Sequence, residues 1–200
     1  MGSAIPLTPP STDSVTGLPE QAIVAGVRQG DPAMLAIVFR GYFPILVAFA
    51  RGYVASIDDA EELVAALFAR LWEHRATWTP RHTIRSYLFA GVRNAALNVV
   101  RLETRQARRE AAFLFERTTE EATPRPDETG DDPIRRMSDE LDRALDHLPP
   151  TARTLIELRW ERRMSYDEIA EVLGGTAASV QRLHSRTIAR LRTFVVSLAR

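Results

Sequence analysis

Apolar residues return at helical spacing along most of the chain, starting at Gln21. The clearest case lies between Ala60 and Trp72, where large apolar side chains recur every three or four residues and form one face. A second segment of this kind extends from about Ile84 to Arg109. No stretch shows the sustained alternation of a β-strand bounded by turn residues. The pattern therefore predicts an all-α protein.

Residues typical of helix starts stand before two of the apolar segments. Asp31 and Pro32 predict an N-cap followed by proline at the first helical position. Asp58 or Asp59 is expected to cap the next helix. Pro44 lacks the N–H that a helix interior needs, so we expect it to bend or divide the segment around it.

The composition divides the chain into four parts. Residues 1–19 are rich in Pro, Ser and Thr and are expected to form a disordered tail. Residues 20–112 and 138–200 carry the helical periodicity and predict two small helical domains. Residues 113–137 are expected to be a flexible acidic linker, because the segment from 116 to 132 contains proline and almost no apolar residue. Such a linker offers little to anchor either domain, so the two domains are expected to move independently.

The charge is zero overall but unevenly distributed. The chain has 26 basic residues, all arginine, and 26 acidic residues. Residues 81–110 carry a net charge of +5, residues 116–142 carry −6 and residues 143–200 carry +4. Local charge, rather than the total, sets the affinity for phosphates. The two basic segments are therefore compatible with a nucleic-acid partner.

Several classes of protein are disfavoured by residue types. The chain has no cysteine, which excludes a disulfide framework and cysteine-ligated zinc. We expect a cytoplasmic protein, because no run approaches the roughly 18 apolar residues of a membrane span and no secretion signal precedes the helices. The four histidines are scattered and form no metal-binding motif, so we expect no metal, no cofactor and no catalytic residues. They are His74, His82, His147 and His184.

A helix-turn-helix is predicted near the C-terminus. Thr151 is expected to cap a preceding helix. Ser165 and Glu168 then fit a capping box at the start of a short helix, and Gly174 supplies the freedom for a tight turn. Thr176 can cap the second helix, whose outer face would enter the major groove of DNA. The side chains predicted to contact DNA from this motif are Thr176, Ser179, Gln181, Arg182, Ser185 and Arg186.

Three segments in order carry a resemblance to a known family. They are DAEELVAALFARLWEHR at 59–75, TIRSYLFAGVRNAALNVVR at 83–101 and LDHLPPTARTLIELRWERRMSYDEIAEVLGG at 145–175. The chain resembles the extracytoplasmic-function sigma factors of the sigma-70 family. The resemblance implies a non-enzymatic factor that directs core RNA polymerase to promoters and assists transcription initiation. It also implies that the helix-turn-helix contacts the minus-thirty-five promoter element.

The resemblance also assigns expected roles to residues of the first domain. The helix within 83–101 would meet the minus-ten element, and the loop before it would hold an unstacked base. The expected contacts are Trp78, Arg81, Arg93, Asn94, Asn98 and Arg101. Segment 59–75 would bind the polymerase, although Ala65 and Ala66 stand where the family commonly has polar residues. The expected polymerase contacts are Asp59, Glu61, Glu62, Leu63, Phe68 and Trp72.

Promoter DNA and core RNA polymerase are thus the expected partners, and the free chain is expected to be a monomer. Many relatives are sequestered by an anti-sigma factor, so such a partner is a further expectation. Three other function classes compete: a helix-turn-helix regulator that acts without joining polymerase, an all-helical enzyme or metal protein that uses the four histidines, and a helical interaction module that has lost polymerase binding. A regulator would usually need to dimerise to read two half-sites.

Overall fold

The computed structural model describes residues 17–113 and 148–198, and these residues form helices without a β-strand. The all-α prediction is confirmed. The N-terminal domain consists of α1 (Glu20–Gln29), α2 (Pro32–Ala50), α3 (Ile57–Glu73) and α4 (Ile84–Phe113). The C-terminal domain consists of α5 (Pro150–Ile156), α6 (Tyr166–Leu173) and α7 (Ala177–Leu198). The predicted tail up to residue 16 and the predicted linker from residue 114 lie outside the described residues.

The helix starts differ in part from the predictions. Asp31 caps α2 as expected, and its Oδ1 accepts a hydrogen bond from the Ala33 amide at 2.8 Å. For α3 the predicted aspartates are wrong, because Ser56 is the N-cap and accepts from the Asp59 amide at 3.0 Å. Ser56 lies two positions before Asp58, where the chain is still extended, and its hydroxyl reaches the Asp59 amide from there.

Two further predictions about helix boundaries are corrected: Pro44 does not divide α2, and Thr151 is not the N-cap of α5. The helix α2 runs without interruption through Pro44, which lies on an exposed part of its surface. Thr151 does not cap α5, because Pro149 holds the N-cap position and Pro150 the first helical position. Proline suits that first position, since its missing N–H would have no partner within the helix.

The core of the N-terminal domain is aromatic and closely packed. Phe49 on α2 and Phe89 on α4 are buried, and their ring centroids are 4.8 Å apart. Close packing of α3 on α4 depends on Gly91, because a Cβ there would lie 2.7 Å from Cδ1 of Leu67. The face predicted from the spacing between Ala60 and Leu71 is buried, as expected.

The helix α2 contradicts the expectation that no segment approaches a membrane span. Its residues Pro32–Ala50 are long and apolar enough to cross a membrane by length and composition. In this structure, however, Val38, Tyr42 and Leu46 are buried, and α2 packs against α1, α3 and α4. The core helix of a globular domain has the same composition.

The C-terminal domain begins with an irregular turn. After α5 the helix widens into a π-helical turn over Glu157–Glu161, closed by a hydrogen bond from the Arg162 amide to the Glu157 carbonyl at 3.2 Å. Arg163 then adopts a φ of 51°, in the left-handed region that glycine prefers. This turn places Met164 in the core, where it is fully buried.

The two domains pack against each other, contrary to the expectation of independent domains. Helix α6 lies along α4, and the buried residues of both domains form one apolar cluster. The hydroxyls of Tyr53 and Thr154 are 2.8 Å apart and join the two domains at a second point. We call this arrangement the closed form.

Candidate DNA and polymerase interfaces

The helix-turn-helix is held by the local contacts predicted for it. Ser165 and Glu168 form a complete capping box at the start of α6. Gly174 ends α6 with a φ of 73°, and the Gly175 amide donates to the Ala170 carbonyl at 2.9 Å. This hydrogen bond is the one that closes a Schellman turn. The turn between α6 and α7 is therefore closed by backbone geometry, although Gly175 adds no side chain to the core.

The recognition helix α7 begins with a reciprocal cap. The Ser179 amide donates to Oγ1 of Thr176 at 3.2 Å, and the Thr176 amide donates to Oγ of Ser179 at 3.0 Å. The Ser185 hydroxyl donates to the Gln181 carbonyl at 3.1 Å. Thr176, Ser179 and Ser185 are thus engaged with the backbone of their own helix.

The longer polar side chains of α7 face outward. Gln181, Arg182 and Arg186 are exposed, whereas Val180 and Thr187 are buried against the domain. Exposed arginine and amide side chains on one side of a recognition helix can bond base edges and phosphates. Of the six residues predicted on this helix, these three have the reach and exposure for such contacts.

The predicted minus-ten residues on and before α4 are largely accessible. Arg81, Asn94, Asn98 and Arg101 are exposed. Arg93 is half-buried, because its Nη1 lies 3.5 Å from the Val172 carbonyl of α6. The closed form therefore covers one end of this surface.

Trp78 requires a correction. Its side chain is only 4% exposed, and its ring meets the ring of Tyr87 edge to face at a centroid distance of 5.9 Å. Its Nε1 has no hydrogen-bond partner among the described residues. A ring packed in this way cannot stack on an extruded base without leaving the core, so the closed form does not present Trp78 to a base, and its stacking role stays a prediction.

The predicted polymerase contacts on α3 fall into two groups. Asp59, Glu61 and Glu62 are exposed along one edge. Leu63 and Phe68 are core residues, at 9% and 4% exposure, so Phe68 is not available to a partner, whereas Leu63 lines a surface groove between α3 and α4. Trp72 is half-buried, and the Arg75 guanidinium lies 4.6 Å from its ring centroid.

Sequence reasoning missed a cluster that joins α4 to α6. Arg85 on α4 binds both carboxylate oxygens of Glu168, with Nη2 at 2.8 Å and 3.0 Å. The Thr83 hydroxyl donates to the same carboxylate at 2.9 Å, and the Ser86 hydroxyl donates to Glu171. The sequence predicts Glu168 only as a capping residue, and no feature of the sequence indicates its second partner.

The electrostatics of Glu168 reflect this cluster. Burial acts to raise its pKa, but hydrogen bonds from the Ser165 amide, from Arg85 and from Thr83, together with the charge of Arg85, outweigh burial. The pKa of Glu168 is therefore lowered from its ordinary value, and the carboxylate is charged at neutral pH.

A cavity of about 640 Å³ lies beside this cluster, between the two domains. Arg81 and Asn94 line it from the N-terminal domain, and Glu171 and Thr176 line it from the C-terminal domain. Residues expected to contact the two promoter elements thus face the same space. Within residues 17–113 and 148–198, no group of three His, Asp or Glu side chains is arranged to hold a metal ion.

Comparisons with known proteins identify the two domains. Residues 38–106 match the model of sigma-70 region 2, and residues 144–193 match the model of sigma-70 region 4. The chain belongs to the sigma-70 family. It is a sigma factor with regions 2 and 4, and its partners are core RNA polymerase and promoter DNA. Sigma factors are in general not enzymes.

Solved structures share the fold. CnrH, in complex with the cytosolic domain of CnrY, is 19% identical with a TM-score of 0.60, over 89% of this chain and 97% of that one. The sigma factor RpoE from Bartonella quintana, in complex with the anti-sigma factor NepR, is 22% identical with a TM-score of 0.51, over 78% of this chain and 93% of that one. No curated protein sequence matches the chain.

Proposed function

We propose that this sigma factor contacts the minus-ten element through the exposed face of α4 and the minus-thirty-five element through α7. The observation that carries the proposal is the exposed set Gln181, Arg182 and Arg186 on the recognition helix of a region 4 domain. On α4, exposed Asn94 and Asn98 can each donate and accept hydrogen bonds at base edges. The net charge of +5 over residues 81–110 supplies the attraction to phosphate.

Core polymerase binds, on this proposal, to the acidic edge of α3 and the groove beside it. The groove lies between α3 and α4, has a volume of about 420 Å³ and is lined by Val54, Leu63 and Val99 among others. Asp59 and Glu62 line the same groove. A groove that combines apolar side chains with two carboxylates fits a partner helix that presents apolar and basic side chains.

We further propose that the chain acts in the cytoplasm, carries out no catalysis and needs no cofactor, since binding and strand capture account for the function. An anti-sigma partner stays a prediction from the resemblance. RpoE is itself bound to an anti-sigma factor in the structure named above. The alternative of a regulator acting without polymerase leaves the region 2 match without a role.

The polymerase interface is tested by reversing charge on α3. Glu61→Arg and Glu62→Arg should each weaken retention of the chain by immobilised core polymerase, because both side chains are exposed and repulsion replaces attraction. Glu161→Arg is the matched control, since Glu161 is equally an exposed acid but lies in the C-terminal domain. Unchanged retention of both α3 variants would move the interface elsewhere.

A further inference from the structure

The guanidinium of Arg85 is bound by a carboxylate in this structure, and its geometry also suits a phosphate. Its guanidinium is held by Glu168 through Nη2 and also through Nε at 3.3 Å, and Nη1 donates to the Arg162 carbonyl at 3.1 Å. A fork of this kind binds a carboxylate and a phosphate with the same geometry. The Arg85 side chain is still 30% exposed, so its ion pair is open to exchange with a solute at the surface.

The position of Arg85 relates it to the proposed DNA surface. It lies on α4 two turns before Arg93, and Arg93 is also occupied by α6 through the Val172 carbonyl. Arg81 and Asn94 line the cavity between the domains. A DNA strand following α4 from Asn98 towards Arg81 would therefore have to pass through the place that α6 occupies.

Glu168 and Glu171, here called the acidic pair, project from α6 onto the basic helix. Each accepts from a different residue of α4, Arg85 in one case and buried Ser86 in the other. Glu168 would keep its capping bond to the Ser165 amide at 2.8 Å after leaving α4. Release of the acidic pair from α4 thus does not require α6 to unfold.

We propose that Arg85 exchanges partners between two forms of the chain, binding Glu168 in the closed form and a DNA phosphate once α6 has left α4. The acidic pair then acts as an intramolecular competitor of DNA for the minus-ten surface. This inference rests on the proposed role of α4 in DNA binding. It adds Arg85 to the DNA-contacting residues and assigns the acidic pair a function in keeping the free chain closed.

The exchange is tested on the full chain with two readouts. The chain has no cysteine, so Ala48→Cys and Ala189→Cys, both at exposed positions on α2 and α7, provide sites for a fluorophore pair that reports the distance between the domains. A random-sequence single-stranded DNA of about 20 nucleotides serves as the probe, since phosphate contacts do not depend on base sequence. Its affinity is measured by anisotropy over a range of salt concentrations.

The double variant Glu168→Gln with Glu171→Gln should lengthen the distance between the two fluorophores. It should also raise the affinity for the DNA probe about threefold to tenfold, because a larger fraction of the molecules is open and able to bind. Glutamine at 168 preserves the capping box. Asp167→Asn is the control for charge, since it removes one negative charge, against two in the double variant, from an exposed position of the same helix. It should leave the distance unchanged and the affinity within about twofold.

Arg85→Ala separates the two roles of the arginine. It should also lengthen the distance, but its affinity should fall below that of the acidic-pair variant, and the slope of log K against log salt should decrease by about 0.7 for one lost phosphate contact. Arg40→Ala, at an exposed arginine of α2, controls for net charge. An Arg85→Ala variant that binds the probe as tightly as the acidic-pair variant, with an unchanged slope, would overturn the phosphate contact. An unchanged distance in the acidic-pair variant would overturn the competition.

These outcomes are distinct from failure of the proposed function. Retention on core polymerase depends on α3 and is measured separately. Loss of polymerase binding with the expected distance and salt effects would remove the sigma-factor interface while leaving the exchange at Arg85 in place.

Discussion

The two domains hold their folds by different means. The N-terminal domain is built around aromatic contacts, such as Phe49 with Phe89 and Phe39 with Phe68 at 5.0 Å, and around long helices. The C-terminal domain has shorter elements before α7 and depends on caps and turns around Ser165 and Gly174. Because burial is spread over many contacts and a cap is a single contact, the domains should respond differently to single substitutions.

Removing an aromatic ring should have the largest effect. Phe49→Ala should lower the free energy of unfolding of the N-terminal domain by about 3 to 5 kcal/mol, because Phe49 is 1% exposed and the cavity would not collapse fully. Urea unfolding followed by circular dichroism measures the loss. Phe49→Leu should cost much less, and an equal loss in both variants would contradict the role of the ring.

Removing the cap of α6 should come next. Ser165→Ala should lower the stability of the C-terminal domain by about 1 kcal/mol, since the Glu168 amide loses its acceptor. Fluorine NMR of fluorotryptophan-labelled protein separates the domains, because Trp160 lies in the C-terminal domain and Trp72 and Trp78 in the other. Ser165→Asp, which preserves the acceptor, is the control. If the native signals of Trp72 and Trp78 disappeared before that of Trp160 in the Ser165→Ala variant, the cap would not be acting on the C-terminal domain.

The contact between the domains should contribute less. Tyr53→Phe removes the hydroxyl that meets Thr154, and should cost about 0.5 to 1 kcal/mol because Thr154 keeps its bond to the Pro150 carbonyl. In a protein that already carries Thr154→Ala, Tyr53→Phe should cause no further loss of stability. If the two substitutions together cost the sum of their separate losses, the two side chains are not coupled.

Replacing Arg163, which has a positive φ in the turn before α6, should increase the stability of the C-terminal domain. Arg163→Gly should stabilise the C-terminal domain by up to about 1 kcal/mol, because relief of the positive φ exceeds the added entropy of the unfolded chain. Arg163→Ala keeps the strain and removes the charge, so it should show no gain. Thermal unfolding of the two variants decides between strain and charge.

A small pH effect is expected from His184. Burial, followed by the charge of Arg159, lowers its pKa, and its Nδ1 lies 3.1 Å from the Tyr166 hydroxyl. The unfolded chain therefore binds a proton that the folded chain does not. Stability should rise with pH from the lowered pKa up to about 6.5 and then level off. His184→Gln should flatten this slope, and an unchanged slope would assign it to other groups.

Local features were predictable, and contacts between distant residues were not. The capping box at Ser165 and the turn at Gly174 follow from residues within ten positions of each other. The burial of Trp78 depends on its contact with Tyr87 across a loop. A tryptophan side chain suits both a core and a binding surface, so the sequence does not show which of the two it occupies. The partner of Arg85 lies 83 positions away, and Glu168 already had a local role that accounted for its presence.

Transcription by core RNA polymerase from a genomic fragment library tests the central claim most directly, namely that the chain is a sigma factor whose α7 contacts DNA. We expect transcripts that depend on the chain and start downstream of two shared sequence elements. Arg182→Ala should weaken binding to the preferred minus-thirty-five sequence by about 1 to 3 kcal/mol. It should also relax the base preference at one position of that element, as expected for a guanine contact. Arg186→Ala should weaken all promoters alike, as expected for a phosphate contact. Wild-type transcription by both variants at moderate salt would contradict the role of α7, and an absence of chain-dependent transcripts would contradict the account as a whole.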